Sequence, residues 1–142
     1  MRLTSTAFTH GSAVPKRYTC QGIDINPPLT WSDIPEGTKS FALIVDDPDA
    51  PARTWVHWLV KDIPANARKI PEDTNPGNQV MNSWGKEDWG GPCPPSGSHR
   101  YYFKLYALSV SSFEAANEQE FSAAVEKHKL ADAVLMGTFK KS

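Results

Sequence analysis

Three aspartates, Asp46, Asp47 and Asp49, close the apolar run Phe41–Val45, with prolines at 48 and 51 beside them. A carboxylate is among the costliest groups to carry toward an interior. Either the chain surfaces there, or one carboxylate is held inside for use. Two further segments place polar groups in comparable positions. TWVHWLVKDI carries His57 in mid-strand, and WGGPCPPSGSHRYYFKLYAL feeds a Gly/Pro loop into a long strand that begins with His99 and Tyr101. With a two-residue period, Trp55, His57, Leu59 and Lys61 share one face and Val56, Trp58 and Val60 the other. By the same period His99 and Tyr101 project together, while Arg100 points the opposite way.

A carboxylate beside an imidazole favours the protonated ring. Two such rings, a tyrosine hydroxyl and loop N–H groups would make a small anion pocket. Such a pocket suits a phosphate or carboxylate head group, with Trp55 as an apolar wall. In the loop, Gly91 lets the backbone approach a ligand, and Pro92 and the prolines after Cys93 hold it stiff. Asp47 is then kept at the strand end to orient and charge a histidine, and Asp46 and Asp49 serve as turn formers or ion-pair partners. Taken singly, each segment has a plain structural alternative. His57 reads as a core histidine bonded to a carbonyl, and the Gly/Pro loop as a rigid turn before a core strand. Three polar strand ends together favour the site.

Asp47, His57 and His99 also admit a metal site, or an acid/base set with Cys93 as nucleophile. No HxH or HxxxH pair supports a metal. Nothing near Cys93, set between two prolines, stabilises a thiolate. The expectation is a binding protein, not an enzyme, with no metal and no cofactor.

The elements that must position these residues are short strands separated by Pro, Gly, Asn and Asp. Strands are expected at Leu3–Phe8, Ser40–Val45, Thr54–Ile63 and His99–Val110, with weaker ones at Leu29–Trp31 and Gln79–Asn82. NPGN at 75–78 reads as a type II turn. Asn117 and Glu120 have capping-box spacing, and Phe121, Ala124, Val125 and His128 then fall on one face of a helix over 118–129. The following LADAVLMGTF reads as helix continued or as returning strand, with Gly137 favouring an extended end by Met136. The fold class expected is mainly β: a sandwich of antiparallel sheets with a short helix.

The chain has 142 residues and a net charge of −1, which fits one domain over 1–142. It carries no basic cluster, so nucleic acid is not an expected partner. No stretch is apolar enough for a membrane span or a leader, and a cytoplasmic location is expected. Cys20 and Cys93 form no CxxC and are expected to be free thiols in a reducing compartment.

DPDAP at 47–51, WVHW at 55–58 and GGPCPPSGSHRY at 90–101 resemble the phosphatidylethanolamine-binding protein family, which includes the Raf kinase inhibitor proteins. YTCQGIDINPPLTWSDIP at 18–35 and LMGTF at 135–139 look like its prokaryotic branch, so the resemblance covers essentially the whole chain. It implies two antiparallel sheets with one small pocket at strand ends that binds phosphate or a phosphoryl head group. By motif, Asp47, Trp55, His57, His99 and Tyr101 are pocket residues, and Gly91, Pro92 and Cys93 form the loop wall. Asp49, Pro51 and Arg100 look structural, with Asp49 and Arg100 paired and partly buried. The family acts mainly by binding or inhibition, which implies a kinase or protease target, and prokaryotic relatives imply a homodimer. Animal members have two adjacent histidines where Val56 and His57 stand here, and a further C-terminal helix bordering the pocket. These departures weigh against kinase inhibition and imply a more open pocket.

Overall fold

A computed structural model describes all 142 residues. The strands are β1 (Arg2–Thr4), β2 (Leu29–Ser32), β3 (Ser40–Asp47), β4 (Trp55–Pro64), β5 (Lys69–Ile70), β6 (Asn78–Val80), β7 (His99–Leu108) and β8 (Lys129–Phe139), with one α-helix, α1 (Glu118–His128). They form a three-stranded sheet in the order β1-β2-β5 and a five-stranded sheet in the order β6-β4-β3-β7-β8, all antiparallel. The expected mainly β sandwich is the observed fold.

Both faces of the large sheet are covered. Between the sheets lies a core that includes Leu3, Trp31, Phe41, Leu43, Trp58, Val60, Phe103 and Leu135. On the outer face, Phe121 and Val125 of α1 pack with Ala42, Ile44, Leu59 and Leu108. This double cover is why FALIV shows no alternation: every residue of β3 is buried, Asp46 and Asp47 included. The strand therefore runs two residues beyond the expected Ser40–Val45.

Strict alternation fails in β4. Val45 faces Trp58 and Asp46 faces Val56, so His57 is the extra residue of a β-bulge. A bulge turns the chain by one position. Val56 thus joins the outer cluster with Leu59, while Trp58 and Val60 face the core, which corrects the expectation that Val56, Trp58 and Val60 share a face.

Other differences are local. β1 stops at Thr4 because the Ser5 hydroxyl donates to Pro28 O at 2.6 Å and accepts from Ala7 N at 3.0 Å, which takes the chain out of the ladder. Phe8 is buried all the same. NPGN is not a type II turn, since Gly77 is not among the glycines with positive φ. The Asn75 side chain accepts from Gly77 N instead, and a Cβ at Gly77 would strike the Lys61 carbonyl. Helix α1 is capped as expected, with Asn117 Oδ1 accepting from Glu120 N at 2.9 Å and Glu120 Oε1 from Ala116 N at 2.8 Å. It gives way at Lys129 directly to β8, which pairs with β7 along its whole length. Leu, Ala and Met favour helix locally, but the ladder and the burial of Ala133, Leu135 and Phe139 override that preference.

Candidate functional site

β3 ends at Asp47, while β4 begins at Trp55 and β7 at His99. The antiparallel order β4-β3-β7 brings these three ends to one edge of the sheet. A cavity of about 260 Å³ opens there, lined by Asp47, Trp55, His57, Cys93, His99 and Tyr101. Pro51 lines it too, with Ala50, Trp84, Pro94 and Pro95, which the sequence reading did not assign to it.

Asp47 is buried, and both its oxygens are used. Oδ2 accepts from His99 Nδ1 at 2.7 Å, and Oδ1 accepts from Asp49 N at 2.8 Å. The carboxylate orients His99 and closes the DPDAP turn. Asp46, its neighbour, is an ion-pair partner: Oδ2 lies 2.9 Å from Lys104 Nζ. Burial raises the Asp46 carboxyl pKa and the Lys104 bond opposes that shift.

His57 is held differently. Its Nδ1 lies 2.6 Å from Gly90 O. A carbonyl can only accept, so Nδ1 carries the proton and Nε2 is the bare nitrogen of the neutral ring. Gly90 N donates back to His57 O at 3.2 Å, which laces β4 to the loop. Burial pushes the His57 pKa down, against the weaker upward pulls of the Gly90 carbonyl and the Asp47 charge. The expectation of two cationic rings is therefore corrected: Asp47 pairs with His99, and His57 is held neutral. Trp84 and Tyr101 stand edge-on to the His57 ring at 4.9 and 5.3 Å.

Tyr101 and Trp55 line the cavity, and each carries a buried donor, Oη and Nε1, with no hydrogen-bond partner. Burial, with the Asp47 charge second, raises the Tyr101 pKa, so its hydroxyl stays protonated. Arg53 sits 5.4 Å from the Trp55 ring as a cation–π partner.

Gly91 and Pro92 do not line the cavity. Gly91 N donates to Asp24 Oδ1 at 2.9 Å, and a Cβ there would strike that oxygen and the Tyr18 carbonyl. Pro92 O accepts from Cys20 N at 3.1 Å. The N–H groups of Gly90 and Gly91 are thus spent inside the protein, which corrects their expected role toward a ligand. Cys20 and Cys93 are joined by a disulfide, with Cα atoms 5.4 Å apart. The expectation of two free thiols is overturned. Residues separated by 73 positions in sequence meet because Asp24 and Cys20 both bind the same loop.

Arg100 grips Asp49 outside the cavity. Its Nε and a terminal nitrogen reach the two carboxylate oxygens at 2.9 and 2.8 Å, and its backbone N donates at 2.9 Å. Arg100 holds the Asp49 carboxyl down at about 2. The Arg100 side chain is half exposed, so the pair ties the DPDAP loop to β7 at the surface rather than in the partly buried setting expected. Trp84 is the main lining residue that sequence reasoning missed. Its one signal is a tryptophan in a polar, glycine-flanked loop.

A mainly β sandwich with a cavity at its strand ends defines the class of fold, and the comparisons place it in a family. The phosphatidylethanolamine-binding protein family model matches residues 4–140. The chain is 43% identical over 152 residues to a UPF0098 protein of Aquifex aeolicus, covering 99% of this chain and 89% of that one. It is also 43% identical to a UPF0098 protein of Chlamydia muridarum, with 99% of each covered. The crystal structure of a putative homolog of the family, CT736 from Chlamydia trachomatis, superposes with a TM-score of 0.93 at 40% identity, covering 99% of this chain and 97% of that one. E. coli YbcL, described as a new member of the mammalian PEBP family, gives a TM-score of 0.93 at 32% identity, covering 99% and 98%. The chain belongs to the phosphatidylethanolamine-binding protein family. No helix is long and apolar enough to cross a membrane.

Proposed function

We propose that the strand-end cavity binds a small oxyanion of the phosphate type, free or as a phosphoryl head group, and that the protein acts by binding. The observation that carries this is the pair of buried donors without partners, Tyr101 Oη and Trp55 Nε1, on the wall shared with His57 and His99. An unmet buried donor costs about 1–3 kcal/mol, and native chains leave few of them. An oxyanion accepting from both removes that cost. Asp47 opposes the anion less than a bare carboxylate would, because His99 Nδ1 and Asp49 N both donate to its oxygens.

A binding role, and not a catalytic one, is supported by the fate of the candidate nucleophile: Cys93 is in a disulfide and has no thiol to ionise. A regulatory or inhibitory action on a kinase or protease is the second reading. What favours it is exposed apolar surface on the cavity wall, at Trp84. The disulfide bears on location too, since such bonds persist in oxidising compartments. A cytoplasmic placement therefore implies a bridge that cytosolic reductants leave intact, and thiol labelling in intact cells checks it.

Calorimetric titration with inorganic phosphate tests the main reading. Saturable binding is expected, weakened at least about tenfold in His99→Ala, the loss of one charge-assisted hydrogen bond. Absence of binding in the parent protein overturns the anion pocket and leaves the protein-target reading.

A further inference from the structure

The cavity wall presents donors and one acceptor, and this mixture restricts what fits. Gly90 O fixes the His57 proton on Nδ1 through the 2.6 Å bond. Nε2 of the same ring then offers a lone pair and has no hydrogen-bond partner in the chain. Trp55 Nε1–H and Tyr101 Oη–H, on the same wall, can each donate. A fully deprotonated anion satisfies the donors but sets an oxygen lone pair against the His57 lone pair.

Resting on the anion-pocket reading, we infer that the ligand brings its own proton: a phosphomonoester, phosphonate or inorganic phosphate as its monoanion, whose P–O–H donates to His57 Nε2 while its other oxygens accept from Tyr101 and Trp55. A phosphodiester or a sulfonate has no such proton. The only other way to make Nε2 a donor is to protonate the ring, and burial opposes that. The charged and titratable groups around the ring are Asp47 on β3 and His99 and Tyr101 on β7. The Asp47 charge does pull His57 toward the protonated ring, but burial outweighs that pull. No lysine or arginine lines the cavity, so nothing there binds a bare dianion by charge alone. His57 is on this account the specificity-determining residue, and the bulge that carries it sets the ring against the Gly90 carbonyl.

Methylphosphonate and methanesulfonate test this directly. Near pH 5.5 they have the same shape and the same single charge, and only methylphosphonate carries an O–H. Calorimetric titration of the intact disulfide-bonded protein is expected to show methylphosphonate binding about tenfold or more tighter, the worth of one hydrogen bond gained. Repeating it in buffers of different ionisation enthalpy is expected to show more protons taken up with methanesulfonate, because His57 must then acquire one. In His57→Phe the preference is expected to collapse toward unity. Equal affinities, a preference that survives in His57→Phe, or equal proton uptake overturns the inference while leaving the anion pocket standing. If His57→Phe does not fold, proton uptake by the parent protein decides alone. Binding of neither probe overturns both. Inorganic phosphate and methyl phosphate, run beside them, separate the two sources of the same chemistry: the tighter one marks the ligand as free phosphate or as a phosphorylated molecule.

Discussion

The outer face of the large sheet and the rim around the cavity are held by different chemistry. Under α1, Phe121 and Val125 press on Ala42, Ile44 and Leu108, and burial of apolar area does the work. At the rim, directional bonds do it. Asp47 holds His99, Gly90 holds His57, Asp24 holds Gly91, Arg100 holds Asp49, and Cys20 holds Cys93. Apolar contact is non-directional and tolerates substitution of similar volume. A hydrogen-bonded group fails when its partner is removed. One region should therefore respond to lost volume and the other to lost partners, with ligand binding sensitive only to the second.

The largest expected effect is on the apolar side. Phe121→Ala should lower stability by about 3–5 kcal/mol and leave phosphate affinity unchanged, as read by urea unfolding and calorimetry. A matching loss of affinity would mean that the two regions are coupled through β3 and β4. At the rim, Cys20→Ser with Cys93→Ser should cost about 2–5 kcal/mol. That variant should also weaken phosphate binding, because Cys93, Pro94 and Pro95 form the wall. Unchanged affinity would show that the Cys20 N to Pro92 O and Gly91 N to Asp24 bonds suffice to hold the loop.

A smaller effect follows from His57. Its folded pKa lies below the ordinary 6.5, so the unfolded chain takes up a proton that the folded ring refuses. Its contribution to stability is present above about pH 6.5 and falls away as pH drops below that value, by at most about 1.4 kcal/mol per pH unit for one proton. Unfolding free energies between pH 7.5 and 5.5 should show this slope in the parent protein and a flatter one in His57→Gln; equal slopes would show that the ring is not the group refusing the proton.

The smallest effect should come from Arg100→Ala, since the pair is at the surface and solvent screens it. Asp49 is held at about 2 in the folded state against an ordinary 3.8. Its contribution is present above about pH 4 and disappears as pH falls toward 2. Melting curves of Arg100→Ala and its parent should therefore differ slightly at pH 7 and converge in acid. A larger loss than the disulfide variant's would mean that the DPDAP turn depends on this pair.

Much of the site was legible because chemistry and position coincide in the chain. Asp47, His57, His99 and Tyr101 stand near strand ends, and strand ends can be located from Pro, Gly and Asp. What could not be read was who holds whom. Asp47 was expected to charge a histidine, and it engages His99; His57 takes a carbonyl from a loop 33 positions away. The loop N–H groups looked available because the residue that consumes one of them, Asp24, carries no mark in the sequence. The cysteines looked free because distance along the chain says nothing about distance in space.

The amino-acid sequence alone determined the class of fold and the polar residues that stand near its strand ends, because hydrophobic period, turn chemistry and side-chain type are local properties. Tertiary structure alone decided the bulge at His57, the neutral tautomer of its ring, the closure of Cys20 on Cys93 and the surface setting of Asp49 with Arg100. Each of those depends on a partner from another strand or loop, and burial and hydrogen bonding act across the fold rather than along the chain.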